Sequence, residues 1–455
     1  MAEFWSNEIN CTESEPPVPT VEFDLSGWVD LPNSGFNATL LPDTTVSTNM
    51  LHSSLDVAVD PTGKCHVVAK RYPLLVVDTP PSRYQVAVQA WVDDGAGAWS
   101  GRYVVLGKPS VSPSGYGWGD RGLWRSHAAR LALTNGYDGN KVALFLPSNF
   151  DEAYGATEKR RLPAPPVAVN GVWPEAAYNA LSEVGGTGQD IVPFDACASD
   201  THQYVVGFAS TTSAYTFAEA AIGYRTSGSM TGVVLDRTPD VSLSNGGPRS
   251  AACCIDDNGY CHAVFSGRED GTSDAVVLYA KPTSATAWTV SELFSYAEID
   301  NPYAEFLPQP SLSFDPVTGN LILVYSDQDA TINARYSDDG GSTWSSELEL
   351  FSGSVKSAPS IASIATGHTI AVWAASSGDD SLGEGIRYIV SADGGVTWSE
   401  PALIPGESAI TGWTKYYAAS SPASDIRVKA HGNLAVIAGF VYSNPIRAIR
   451  WGWLS

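Results

Sequence analysis

Three observations predict an all-β fold for this 455-residue chain: a β-propeller of about seven four-stranded antiparallel blades, closed by an N-terminal strand. A hairpin pattern of alternating apolar residues recurs seven times, and the 42 Gly and 29 Pro are spread between runs rich in Val, Ile, Thr and aromatic residues. Two copies of one turn motif also stand 54 residues apart. Short strands bounded by Gly and Pro read as hairpins, and a regular series of hairpins reads as the blades of one ring rather than as several domains. With 14 Trp, 20 Tyr and 14 Phe, the chain has ample apolar surface to fill such a ring.

The clearest hairpins are Leu55–Val68 with the turn Asp60-Pro61-Thr62-Gly63, Ala251–Val264 with Asp256-Asp257-Asn258-Gly259, and Pro310–Val324 with Asp315 to Gly319. Less regular copies run from His127 to Leu146, Val192 to Phe208, Ala358 to Trp373 and Ser424 to Phe440. Side chains alternate across a strand, so each hairpin offers one face to either neighbouring sheet. The last repeat has strands at Ser424–Phe440 and Ile446–Leu454 and lacks a fourth. The alternating segment 20–31 can supply it as an outer strand, which removes the open sheet edge. Residues 1–19, with Pro16, Pro17 and Pro19, then form an arm outside a single domain spanning 20–455.

A third strand follows each hairpin, and two of these lead into the same motif. Ser337-Asp338-Asp339-Gly340-Gly341-Ser342-Thr343-Trp344 and Ser391-Ala392-Asp393-Gly394-Gly395-Val396-Thr397-Trp398 both read S-x-D-x-G-x-T-W, and degenerate versions occur at Trp91–Trp99 and Tyr279–Trp288. A carboxylate can accept the N–H groups of a tight turn, Gly supplies left-handed backbone, and Trp can wedge between sheets. The expected role of Ser337, Asp339, Gly341, Trp344, Ser391, Asp393, Gly395 and Trp398 is therefore structural.

With these motifs the chain resembles the Asp-box (BNR-repeat) propellers of the sialidase-like superfamily. The resemblance implies an active-site rim away from the motif turns. In sialidases that rim carries three Arg for the substrate carboxylate, a Tyr activated by Glu and an acidic proton donor. This sequence contains no Arg-Ile-Pro motif, Arg is scarce, and seven hairpins exceed the six blades usual in sialidases. Seven-bladed relatives include polysaccharide lyases, which use His, Tyr and a charge-neutralising Arg. If the chain is an enzyme of that kind, His127, Tyr416 and Arg125 could supply base and electrophile.

The loops assigned to that rim are rich in groups that grip sugars. Trp118, Arg121, Trp124, Arg125 and His127 crowd one segment, Trp413, Tyr416 and Tyr417 another, and Arg249 and Arg268 adjoin others. Aromatic faces suit sugar C–H surfaces, and Arg suits hydroxyls and carboxylates. The leading expectation is thus a glycan- or surface-recognising propeller, such as a bacteriophage virion or tail-associated receptor-binding protein docked through residues 1–19. An extracellular polysaccharide lyase or glycoside hydrolase and a non-enzymatic assembly protein are the alternatives.

Charge and cysteine usage narrow the partners. A net charge of −23 repels phosphates, which excludes nucleic acid and anionic membranes as natural partners. No run is apolar enough to cross a bilayer, and the opening residues Met1–Glu8 show no signal-peptide pattern. A virion or extracellular location is expected. Six cysteines are too few for a disulfide framework. Because Cys65-His66 and Cys261-His262 occupy equivalent places in two repeats, Cys253, Cys254 and their neighbours are read as small buried residues, with no metal site. No cofactor is expected; the acidic loops leave room for Ca²⁺ without EF-hand-like spacing.

Overall fold

The computed structural model describes residues 27–32, 34, 50–73, 87–106, 132–135, 141–145, 162–163, 167–169, 181–182, 190–210, 217–226, 230–235, 250–268, 274–296, 309–327, 331–353, 355–375, 384–405, 425–440 and 445–452. Its sheets are antiparallel and follow one another along the chain. The first blade comprises β2 (Met50–Val59), β3 (Cys65–Pro73), β4 (Ala87–Asp93) and β5 (Trp99–Leu106). A three-stranded sheet follows, formed by β6 (Ala132–Leu133), β7 (Lys141–Phe145) and β9 (Val167–Val169), with a two-residue ribbon of β8 (Leu162–Pro163) and β10 (Leu181–Ser182). The second blade is β11 (Asp190–Ala198), β12 (Gln203–Ser210), β13 (Phe217–Arg225) and β14 (Thr231–Val234). The third is β15 (Ser250–Ile255), β16 (Cys261–Arg268), β17 (Ala275–Ser284) and β18 (Ala287–Tyr296). The fourth is β19 (Gln309–Phe314), β20 (Leu321–Ser326), β21 (Thr331–Ser337) and β22 (Leu348–Ser352). The fifth is β23 (Ser360–Ser363), β24 (Thr369–Ala375), β25 (Gly385–Ser391) and β26 (Ala402–Leu403).

The sixth blade closes the ring. Its strands β27 (Asp425–His431), β28 (Leu434–Phe440) and β29 (Arg447–Gly452) take β1 (Val29–Asp30) as their outer partner, with Val29 opposite Ala448 and Asp30 opposite Arg447. The expected closing strand is therefore present over Val29–Asp30; residues 1–26 lie outside the described set. Trp91 buries its ring and donates from Nε1 to the Pro32 carbonyl at 2.8 Å, which ties the closing segment to the first blade.

All seven expected hairpins fall on described strand pairs, yet six blades have four strands where about seven are predicted. The His127–Leu146 hairpin gives β6 and β7, which join only β9 among the described residues. Pro163, Pro165, Pro166 and Pro174 lie close to β9 in the sequence, and proline cannot donate to a ladder.

The inner strands β2, β6, β11, β15, β19, β23 and β27 pack in succession around the axis, and β27 returns to β2. At five seams a polar side chain accepts a backbone N–H from the next sheet. Asp56 takes Leu133 N at 2.6 Å, Asp195 takes Cys253 N at 3.0 Å, Ser311 takes Ile361 N at 3.1 Å, Ser360 takes Val428 N at 3.0 Å and Asp425 takes Leu55 N at 3.4 Å. Inner strands of different blades have no ladder between them, so these latches satisfy amides that would otherwise be buried without a partner.

Outer seams are held by aromatic wedges. Trp344 meets Tyr279 of the preceding blade edge-on at 5.3 Å, and Trp288 lies against Tyr204 and Tyr224 of the blade before it. Arg335 on β21 stacks over Phe294 on β18, and Arg387 on β25 stacks over Phe351 on β22, both at 5.0 Å. Each is a cation–π contact from the third strand of one blade to the outer strand of the previous one.

The two Ser-x-Asp turns are built alike. Asp339 accepts Ser342 N and Thr343 N, each at 2.9 Å, and Asp393 accepts Val396 N at 3.1 Å and Thr397 N at 2.9 Å. Ser337 and Ser391 bond the Gly341 and Gly395 amides at 2.8 and 2.9 Å. Both oxygens of each carboxylate are engaged within their own turn, with Thr343 and Thr397 hydroxyls donating to the second oxygen.

The Asp-Gly hairpin turns use the same chemistry and make stability sensitive to acid. Asp60 is buried, accepts Thr62 N at 2.9 Å and Lys64 N at 3.0 Å, and lies 3.0 Å from His66 Nε2. Burial works to raise its pKa, but the bonds from His66, Thr62 and Lys64 prevail and lower it to about 2. A carboxyl depressed in the folded state adds stability above its unfolded pKa, and that stability is lost as pH falls toward the folded value. Between pH ~4 and pH ~2 the wild-type protein should therefore lose about 2 kcal/mol on this account. Denaturant titrations of D60N should show a flatter pH dependence across that window; an unchanged slope would refute the assignment.

Candidate functional site

A cavity of about 370 Å³ occupies the axis near the hairpin turns, lined from the second through sixth blades by residues that include Asp195, Cys197, Cys253, Arg427, Lys429 and His431. Charged side chains on inner strands are rare because burial strips their hydration, so each requires a partner. Here the partner is shared. Lys429 Nζ lies 2.8 Å from Asp56 Oδ2 and 2.8 Å from Asp195 Oδ1, and it donates to the carbonyls of Leu133 at 2.8 Å and Ala196 at 3.2 Å.

One ammonium thus joins β27 to β2, β6 and β11 across the ring. Burial alone would lower the Lys429 pKa, but Asp195 and Asp56 hold it well above the ordinary lysine range, so the amine stays charged. Asp195 moves the other way from a usual ion pair. Its burial and the neighbouring Asp56 outweigh Lys429 and keep its pKa above the usual carboxylate range. Saturated by four oxygens, Lys429 is a clamp and has no lone pair for nucleophilic work.

Beside the clamp, three sulfurs meet at the seam between the second and third blades. The thiols of Cys197, Cys253 and Cys261 all lie within 4.8 Å of one another, with Cys197 and Cys261 Sγ 3.6 Å apart. Burial raises all three, but hydrogen bonds from Cys253 and Cys261 bring the Cys197 thiol down to about 6, while its two neighbours stay well above the usual range. His431, exposed at the end of β27, has its pKa lowered by partial desolvation.

A Tyr–carboxylate pair is also present, but it lies in a seam. Tyr325 donates to Glu347, Arg335 lies 3.6 Å from Glu347, and Phe294 and Tyr296 of the third blade cover them. Burial and the adjacent carboxylate push the Tyr325 pKa far above that of a free phenol. This is the reverse of what an activated tyrosine nucleophile requires.

Most residues singled out from sequence lie outside the described residues: Trp118, Arg121, Trp124, Arg125, His127, Arg249, Trp413, Tyr416 and Tyr417. Arg268 is the last residue of β16, opposite Ala275 on β17. The flanking strands are described. In each blade the inner strand runs into the hairpin turn and the outer strand runs away from it, so β5 and β26 end, and β6 and β27 begin, on the rim opposite those turns. The segments 107–131 and 404–424 connect these ends.

Sequence reasoning missed the clamp and the sulfur trio. The available signal was an isolated charge inside an otherwise apolar strand, as in Leu55-Asp56-Val57 and Phe194-Asp195-Ala196, with a lysine of opposite sign in a third repeat. The cysteine reading rested on equivalence of Cys65 and Cys261, but the trio depends on Cys197 of another blade.

Sheet topology and the clamped axis make this chain a β-propeller. No family model matches it, and no curated protein matches its sequence. Among solved structures, a protein of unknown function from Dyadobacter fermentans DSM 18053 is 9% identical with a TM-score of 0.48, over 96% of this chain and 100% of its own. A Trypanosoma rangeli sialidase in complex with the inhibitor DANA is 12% identical with a TM-score of 0.43, over 96% of this chain and 60% of its own. The intramolecular trans-sialidase from Ruminococcus gnavus, in complex with oseltamivir carboxylate, is 11% identical with a TM-score of 0.41, over 92% of this chain and 98% of its own. Structural neighbours at low identity thus include sialidase propellers. No helix among the described residues is long and apolar enough to cross a membrane.

Proposed function

We propose that this propeller is an Asp-box-type recognition module that binds a glycan through the rim opposite its hairpin turns, in a virion-borne or extracellular setting. The observation that carries the reading is the position of the strand ends that flank the two loops richest in Trp, Tyr and Arg. Both loops join outer to inner strands on that rim, whereas the axis near the hairpin turns carries an ion clamp beside its cavity. A surface gathering aromatic faces and guanidinium groups suits sugar rings and their acidic substituents.

The test is a glycan array probed with the purified chain, followed by titration of any ligand with W118A, W124A and W413A. Each variant should bind about tenfold or more weakly, as expected when an aromatic anchor worth ~1.4 kcal/mol is removed, with unfolding midpoints unchanged. Full affinity in all three would reject the rim as the binding surface. Incubation with sialylated and uronate polysaccharides separates recognition from turnover: new reducing ends or unsaturated products, lost in H127A, would instead mark a hydrolase or lyase.

A further inference from the structure

We propose that Cys197, Cys253 and Cys261 form a three-sulfur site for a thiophilic metal ion, Zn²⁺ or Cu⁺, which fastens the second blade to the third. The donors come from three strands of two sheets: Cys197 from β11, Cys253 from β15 and Cys261 from β16. Their mutual separations, all within 4.8 Å with one at 3.6 Å, suit a shared ion. Two sulfurs bound to one tetrahedral Zn²⁺ at ~2.3 Å stand ~3.8 Å apart, so small side-chain adjustments suffice. A disulfide would need ~2.05 Å and would leave the third thiol unused.

The donor set selects the class of ion. Sulfur alone, without carboxylate or imidazole in the trio, disfavours Ca²⁺ and Mg²⁺ and suits Zn²⁺ or Cu⁺. Access is provided as well, because Cys197 and Cys253 line the axial cavity, which offers an entry path and room for water as a fourth ligand. Strand alternation makes the trio selective. Cys253 packs into the core between the second and third blades, while the adjacent Cys254 packs into the one between the third and fourth. Cys65, which occupies the repeat position of Cys261, is surrounded by Val59, Val67 and Trp91 and belongs to no sulfur cluster among the described residues.

The test uses the full chain, reduced and stripped of metal. Titration with Co²⁺ should give one sulfur-to-cobalt charge-transfer band that Zn²⁺ bleaches, and stoichiometric Zn²⁺ should raise the Tm, since an ion bound only by the folded state stabilises it. Uptake of Cu⁺ against a competing chelator, without a cobalt or zinc response, would support the site and assign the ion to copper. C197S and C253S should abolish uptake, and C65S and C254S should retain it. Alkylation of the unmutated protein followed by mass spectrometry requires no variant to fold: bound metal should protect these three thiols selectively. No uptake of any of these ions by the reduced chain, uptake that survives C253S, or protection of other cysteines instead would overturn the proposal.

Discussion

Replacing Lys429 by Met should destabilise the protein by about 3–5 kcal/mol, the range found when one partner of a buried ion pair is removed. The side chains of Asp56 and Asp195 are only 4% and 13% exposed, so neither carboxylate can be rehydrated in place. Loss of the ammonium would also leave the Leu133 and Ala196 carbonyls without their donor. Denaturant unfolding should show a lower midpoint with an unchanged slope. Neutralising the whole cluster in K429M/D56N/D195N should recover much of the loss, because Asn can still accept the Leu133 and Cys253 amides. A single K429M variant as stable as wild type would show that the clamp contributes nothing.

The second large effect should come from Gly341→Ala, compared with its neighbour Gly340→Ala. Both glycines have left-handed backbone, with φ of 82° and 66°, where a Cβ costs ~1–2 kcal/mol. A methyl at 340 would meet nothing within 4 Å, whereas at 341 it would lie 1.9 Å from the Tyr279 hydroxyl. That ring cannot retreat. It is buried, bonded through its hydroxyl to His262 Nδ1 at 2.6 Å and packed edge-on by Trp344. Overpacking adds ~1–3 kcal/mol, so G341A should lose about 2–5 kcal/mol and G340A no more than about 2. Equal losses from the two variants, measured by chemical denaturation, would mean that Tyr279 yields and that the wedge is softer than its contacts indicate.

How much of this was legible in the sequence follows from the range of each interaction. The hairpins and their turns are local: two-residue alternation marks Leu55–Val59, and Asp60 with Gly63 marks the turn that follows. The closing strand was legible for a related reason, since a final repeat short of one strand calls for a partner elsewhere. The strand count of the three-stranded sheet was not, because the hairpin pattern marks β6 and β7 without fixing which later segments pair with them. The clamp and the sulfur trio depend on residues 56, 195 and 429, and on 197, 253 and 261. Alternation shows which way each side chain faces, but it is silent on which residue faces it across the ring. The aromatic and basic residues proposed for the rim stand out in the sequence by type alone, and that proposal rests on the strands that flank their segments.

The side-chain latches between inner strands bear on how the molecule comes apart. An open array of repeats has end units that touch one neighbour and can fray singly, so its melting spreads inward from the tips. A circle has no tips: releasing any one sheet ruptures two boundaries together, most of them carrying apolar packing and most a latch as well. Dissolution of the fold is accordingly concerted, and partly opened forms that expose strand edges to other chains stay scarce.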